Sequence, residues 1–369
     1  MKWLTACGLY AVVSLVLLLP VNGLAQTSVV PPGSGSLAAP WEISTAEHLL
    51  WVAEETAAGN AFPGQYLVQT DDIDAAATAA WFPDGSGGFA GFLPIGNTSQ
   101  AFAGDYDGRG HTIQGLFINR PSATRVALFG HVAANGRIRN LGLTGLDFTG
   151  DAIAGGLVAT HRGEIERVFS TGNLSASATL GGLVATNAPG AVIRDAYSLV
   201  NVDGGFRAGG LVGHNFALIE NAFAAGNVVD TTGNWPASFG GLVGENDEPN
   251  AQVINGFWDT NASSYSGPDD GAGDQTAAQS GIVGLNTAGM QALASFQGLW
   301  SIEGRANLPV GYPVLQWEID QDFSPDAPVW LIRSEPAAIG VPLTSPWSLG
   351  LLALLLLLLA GRVVSRQAR

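Results

Sequence analysis

Apolar residues recur in this chain as short runs closed by paired glycines, and through the middle of the sequence no stripe of helical period survives. The most regular unit is Gly155-Gly156-Leu157-Val158. It returns as Gly181 to Val184, Gly209 to Val212 and Gly240 to Val243, at intervals of 26, 28 and 31 residues, with Ala127-Leu128-Phe129-Gly130 a degenerate earlier copy. A second block follows each copy and opens with isoleucine: Ile138, Ile165, Ile193, Ile219 and Ile254. Four residues beyond the last four of these stand Phe169, Tyr197, Phe223 and Trp258, and eight beyond the middle three stand Asn173, Asn201 and Asn227. Another column, Asn187, Asn215 and Asn246, lies five residues after the second glycine. Separation between the glycine turn and the isoleucine varies, which makes that stretch a loop.

Strands this short cannot bury a face alone, but stacked copies can. In a single-stranded parallel β-solenoid the coils lie about 4.8 Å apart, so like residues sit over like. Isoleucines then fill the interior, aromatics stack, and asparagine amides bond from coil to coil. The predicted fold class is therefore all-β, a β-helix with short helical caps and one C-terminal transmembrane helix. Ser44-Thr45-Ala46-Glu47 reads as a capping box opening a short helix through Val52, the N-terminal cap. Residues 287–296 read as a second short helix near the other end.

The two ends differ from the middle. Lys2, an apolar run from Leu9 to Pro20 and Gly23-Leu24-Ala25 describe a secretory signal peptide cut between Ala25 and Gln26. Cys7, the single cysteine, leaves with it, so the mature chain is expected to have no disulfide. Residues 26–40 are a Pro/Gly/Ser linker, 41–318 the solenoid with core repeats at about 127–262, and 319–340 a proline-containing stalk. Val341 to Gly361 is almost wholly apolar and is followed by Arg362, Arg366 and Arg369. That layout predicts a membrane-spanning helix with a cytoplasmic C-terminus, hence export through the Sec pathway and an inner-membrane anchor.

The acidic residues, 31 in all, fall between Glu42 and Glu335, where only 11 arginines and no lysine oppose them. A charge near −20 on this region argues against nucleic acid and anionic membrane surfaces as partners.

Two resemblances attach to these residues. Val341, Pro342, Leu343, Thr344, Ser345 and Trp347, with the leucine run and arginine tail, resemble the IPTL-CTERM sorting signals of Gram-negative bacteria. Leu343 and Thr344 are exchanged relative to the usual order, and Val341 stands for Ile. The resemblance implies an exosortase-type sorting enzyme as partner and passage to the cell surface. The stretch from Gly209 to Val228 resembles the GLUG motif, found in tandem in bacterial surface proteins including filamentous adhesins and some IgA-specific metallopeptidases. Pro94 to Leu116 is similar to the coil that precedes such arrays, and Phe257 to Gly267 and Tyr312 to Trp317 to their closing segments. Together these cover most of residues 41–317.

The sequence offers no convincing catalytic constellation and no cofactor. His48, His111, His131, His161 and His214 are scattered, without an HExxH motif or paired zinc spacing. Asp105, Asp107 and Arg109 are the candidates for polysaccharide cleavage, but they occupy the family's Asp-Gly turn. Asp269, Asp270 and Asp274 could wrap calcium, but the full alternating ligand pattern is missing and a solvated acidic loop is the better fit. Trp235 and Pro236 lie in the largest insertion between repeats and form a candidate contact loop. The expected function is a non-catalytic surface protein that adheres to glycan or extracellular matrix. The alternatives are a polysaccharide lyase or hydrolase on the same fold and a passive structural component of the envelope.

Overall fold

The paired glycines bend the chain so tightly that only hydrogen fits on the inside of the corner. A Cβ at Gly181 would lie 1.9 Å from Val184 O, and one at Gly182 would lie 2.1 Å from Gly210 O in the next coil. Each corner turns one short strand into the next, and the turn is repeated from coil to coil. A computed structural model describes residues 26–229, 238–247, 249–264, 271–272, 281–305, 311–319 and 329–332.

Three parallel sheets build the solenoid. The largest runs through Asp105–Gln114, Arg137–Gly150, Glu164–Ser175, Val192–Asp203, Leu218–Ala224, Gln252–Asp259 and Ile282–Leu285. A second stacks Phe129–Val132, Val158–His161, Val184–Asn187, Val212–Asn215 and Val243–Asn246. The third stacks Arg125–Val126, Ile153–Gly155, Thr179–Gly181, Arg207–Gly209 and Ser238–Gly240. Register is like on like: Ile138, Ile165, Ile193 and Ile219 pair in succession, as do Gly155, Gly181, Gly209 and Gly240. These isoleucines and Leu157, Leu183, Leu211 and Leu242 are fully buried in the bore, where removal of apolar surface from water is the main stabilising term.

Polar columns accompany the apolar ones. Asn187 Nδ2 donates to Asn215 Oδ1 at 2.7 Å, and Asn215 Nδ2 donates to Asn246 Oδ1 at 2.8 Å, all three side chains being buried. His161 heads this column, paired with Asn187, and its Nε2 lies 3.3 Å from Val192 O just as Asn187 Nδ2 lies 3.4 Å from Leu218 O. It is a ladder member, five residues after its second glycine like the asparagines, rather than a scattered histidine. The other column is exposed: Asn201 Nδ2 donates to Asn173 Oδ1 at 3.1 Å.

The last repeat departs from the expected alignment. Val253, not Ile254, pairs with Ile219, and Phe257, not Trp258, pairs with Phe223. Ile254 is 43% exposed, whereas Trp258 is fully buried against Gly241 and blocks that end of the bore. The cause is a left-handed corner repeated at Arg109, Asn140, Arg167, Asp195, Asn221 and Asn255, with φ between 49° and 54°. Asn255 Nδ2 donates to Asn221 Oδ1 at 3.0 Å, which fixes Val253 as the inward residue two positions before it.

A second apolar core lies outside the bore. Phe169, Tyr197 and Phe223 stack with ring centroids 4.9 Å apart and planes within 5° of parallel. With Phe257 they form an outward row covered by Trp300, Trp317 and Trp330 from a C-terminal strap. Trp330–Ile332 is a buried strand paired with Ile302–Gly304 and Val314–Leu315. This corrects the reading of 319–340 as a stalk for residues 329–332, which are too apolar to leave the aromatic row. Polar contacts fix the strap: Trp317 Nε1 donates to Arg167 O at 3.2 Å, Trp300 Nε1 to Asn255 O at 3.2 Å, and Tyr312 OH to Asp259 Oδ2 at 2.7 Å. Tyr197 OH donates to Glu318 Oε2 at 2.9 Å, and Leu315 N donates to Oε1 at 2.6 Å.

The N-terminal cap is helix α1, Ala46–Ala57, with Leu49, Leu50, Val52 and Ala53 fully buried. Its N-cap is Thr45 rather than Ser44, and Thr45 Oγ1 accepts from His48 N at 3.2 Å. His48 Nδ1 in turn accepts from Ser44 N at 3.2 Å, so histidine takes the part assigned to Glu47. Residues 26–40 run along this cap, with Val29 N donating to Glu47 O and Tyr66 N to Gly35 O. Helix α2, Thr287–Met290, is one turn followed by a separate 3-10 turn at Leu293–Ser295, so the predicted helix over 287–296 is broken at Gln291 and Ala292. The fold-class expectation is also corrected at its other end. Among the described residues no helix is long and apolar enough to cross a membrane, the longest being the 12 residues of α1. The segment 341–361 on which the membrane helix was placed lies outside the described residues.

Stability should respond to single members of these columns. Asn215→Ala leaves Asn187 and Asn246 without their buried partner, and a loss of about 2–4 kcal/mol in urea unfolding is expected. Two buried groups give opposite pH dependence. Burial pushes the His161 imidazole down to about 4 from 6.5, so its contribution is intact above about pH 6.5 and is lost as pH falls through 4. His161→Asn should flatten that acid limb. Burial pushes the Glu318 carboxyl up to about 7 from 4.5, so strap docking is firmest below about pH 4.5 and weakens as pH rises through 7. Tryptophan fluorescence against pH should show this second change, and Glu318→Gln should remove it.

Candidate functional site

Charged side chains line the outer face of the large sheet beside the left-handed corner. Parallel stacking sets Asp105 beside Arg137 and Glu164 beside Arg137, and sets Asp107, Arg139, Glu166, Arg194 and Glu220 in one column. Signs alternate up these columns, and the side chains pair across coils. Arg139 binds both candidate carboxylates, through Nε to Asp105 Oδ1 at 3.2 Å and through Nη1 to Asp107 Oδ2 at 2.9 Å. Arg137 bridges Glu164 at 3.2 Å and Glu166 at 3.0 Å, Arg194 bridges Glu164 and Glu220, and Arg167 also pairs with Glu166.

Where this ladder meets the strap, a hollow of about 250 Å³ opens, lined by Asp107, Arg109, Gly110, Arg139, Asn140, Arg167 and Trp317. Asp107 is the hub of its floor. Its Oδ1 accepts from Arg109 N at 2.9 Å and from Asn140 Nδ2 at 2.8 Å, while Oδ2 receives Arg139. Asn140 Oδ1 accepts from Arg167 Nε at 2.8 Å. The three residues singled out in the sequence, Asp105, Asp107 and Arg109, are thus brought together, with Arg139 as the basic partner. Asp105 and Asp107 each turn a carboxylate oxygen onto that guanidinium. A carboxylate pair for glycoside cleavage needs one proton donor and a defined gap between the two groups. Here the space between them is filled by Arg139.

Sequence reasoning missed Arg139, Asn140, Arg167 and Trp317. Asn140, Arg167 and Asn221 each stand two residues after a column isoleucine, so the spacing carried the signal for the corner. Trp317 had none, because a residue about 150 positions from Arg167 in sequence meets it only through the strap.

A second polar column crosses the second sheet at His131, Thr160, Thr186, His214 and Glu245, all in mutual register. Arg125 and Arg207 of the third sheet reach across the fold to Thr160 and Glu245. His214 Nε2 lies 3.7 Å from Glu245 Oε1 and 3.8 Å from Asp247 Oδ2, and burial lowers both the His131 and His214 imidazoles. Among the described residues no group of three or more histidine, cysteine or acidic side chains is arranged to hold a metal. Gln26 lies on the cap, with Nε2 donating to Glu47 Oε1 at 3.3 Å. Ala25, the calcium candidates Asp269, Asp270 and Asp274, the contact loop at Trp235 and Pro236, and the sorting residues Val341 to Trp347 lie outside the described residues.

Comparison with known proteins adds a family signature to this geometry. The profile of the GLUG motif matches residues 204–229, so the chain carries that motif. Halomucin of Haloquadratum walsbyi is 35% identical over 185 residues, 49% of this chain and 2% of halomucin. A proposed Gly-rich membrane protein of Evansella cellulosilytica is 37% identical over 149 residues, 40% of this chain and 16% of that protein. The chain therefore spans only a small part of these relatives. Among solved structures, a proposed immunoglobulin A1 protease from Bacteroides ovatus superposes with a TM-score of 0.51 at 20% identity, covering 77% of this chain and 94% of that one. At that identity the likeness extends to the fold.

Proposed function

We propose that this protein is a non-catalytic component of the cell surface whose repetitive flank contacts glycan or extracellular matrix. One observation carries the non-catalytic part: the only carboxylate cluster that the sequence offered for sugar cleavage is closed by Arg139, Asn140 and the Arg109 backbone. Two carboxylates turned onto one guanidinium lack the gap around a sugar that a proton donor and its partner require. The GLUG motif, and relatives named halomucin and a Gly-rich membrane protein, support an exported or membrane-associated setting. Cleavage between Ala25 and Gln26, and recognition of Val341 to Trp347 by an exosortase-type enzyme, belong to the same proposal.

A rigid flank with residues repeated at the strand spacing suits extended ligands, because one contact geometry recurs coil after coil. Incubation of the purified protein with neutral and acidic polysaccharides, with retention and new chain ends read in parallel, tests the reading. Retention without cleavage is the expected result. New reducing ends or unsaturated uronates would overturn it in favour of a lyase or hydrolase, and retention of no polysaccharide would leave the passive envelope role.

A further inference from the structure

The flank hollow has an imbalance of donors over acceptors. Its two side-chain acceptors are already committed, Asp107 to three donors and Asn140 Oδ1 to Arg167. The indole N–H of Trp317 is committed as well, to Arg167 O. Arg109 differs from these. Its side chain lines the hollow and is exposed, and it makes no hydrogen bond or ion pair among the described residues. A guanidinium carries five N–H donors in a planar fork that matches carboxylate and sulfate oxygens. The backbone beneath it is held in place: Arg109 sits at the left-handed corner with φ 50°, and its N–H is tied to Asp107 Oδ1. Arg139 and Arg167 line the same space but are paired with Asp105, Asp107 and Glu166, so Arg109 is the one of the three whose guanidinium has no carboxylate partner among the described residues.

Beside Arg109 the wall is Gly110 packed on Trp317: a Cβ at Gly110 would lie 3.4 Å from Cε3 of the indole, which is itself only 3% exposed. At about 250 Å³ the hollow is below the usual range for ligand pockets, roughly 300–1,000 Å³, which fits one sugar unit and not a longer segment. The overall negative charge repels long polyanions, which also favours a single acidic unit.

We infer that this hollow, with Arg109 as its anchoring fork, is a subsite for one oxyanion-bearing sugar, a uronate or a sulfated hexose. The inference rests on the glycan-contact reading above and names the chemistry of that contact.

Titration of the full-length protein with glucuronate, glucose 6-sulfate, glucose and inorganic sulfate, followed by saturation-transfer NMR, separates the possibilities. The two acidic sugars should bind at least tenfold more tightly than glucose, and whichever binds better identifies carboxylate or sulfate as the preferred oxyanion. Arg109→Ala should remove that preference, as expected for one charge-assisted contact. Because the Arg109 side chain has no partner among the described residues, the variant's melting temperature should match the parent's. Arg109→Lys keeps the charge but not the fork and should recover only part of the preference. Equal binding of glucuronate, glucose 6-sulfate and glucose would overturn the acidic subsite while leaving a glycan-binding flank in place. Equal competition by inorganic sulfate would overturn the sugar part of the inference. Unchanged binding by Arg109→Ala would remove Arg109 from the site. Failure of every sugar here and of every polysaccharide in the retention experiment would overturn both readings.

Discussion

Everything in this molecule follows from coils that stack in register at the spacing of a parallel sheet. That spacing forces each side chain to sit on its own equivalent one coil away, so a residue is tolerated only if it can pack against a copy of itself. Isoleucine and leucine satisfy this by filling the bore, aromatic rings by lying flat on one another, and asparagine by giving an N–H to the next amide oxygen. Charge cannot satisfy it alone, because like charges at this distance repel. The flank therefore alternates arginine with glutamate and aspartate up the same columns.

The stack also has to be closed, and each closure uses residues that break the repeat. Trp258 blocks the bore where a serine or alanine stands in the coils before it. Helix α1 covers the first coils with leucine and valine. The aromatic row cannot end in water, so the chain returns as a strap and covers it with three tryptophans. Bringing the strap in also brings Glu318 against Tyr197, with two hydrogen bonds and, among the described residues, no cation paired to it. The bore and the strap consequently prefer opposite ends of the pH range, because an imidazole is buried in one and a carboxyl in the other.

The flank hollow is a by-product of the same arrangement. The left-handed corner turns one residue per coil outward, and in the coils around Asp107 that residue is Arg109, Asn140 or Arg167. The ladder then takes up the carboxylates and leaves one guanidinium over. At Asp105 and Asp107 the interactions that hold the coils together are the same ones that occupy the carboxylates.

The repeat itself, its glycine corners, its isoleucine bore and its asparagine ladders were legible in the sequence, since each is a local pattern that a stacked fold turns directly into contact. Register in the last coil was not, because Val253 and Ile254 fit an apolar column equally well. Only the corner at Asn255, bonded to Asn221, decides between them. His161 was legible in principle by its offset from the glycines, yet its residue type hid its place in an asparagine ladder. The capping residue shifted by one because Thr45 and His48 satisfy the helix N-terminus as well as Ser44 and Glu47 would. Closure of Asp105 and Asp107 by Arg139, and the meeting of Trp317 with Arg167, belong to tertiary structure alone. These pairs are 34, 32 and 150 residues apart, and no local pattern encodes which coil a distant side chain will reach.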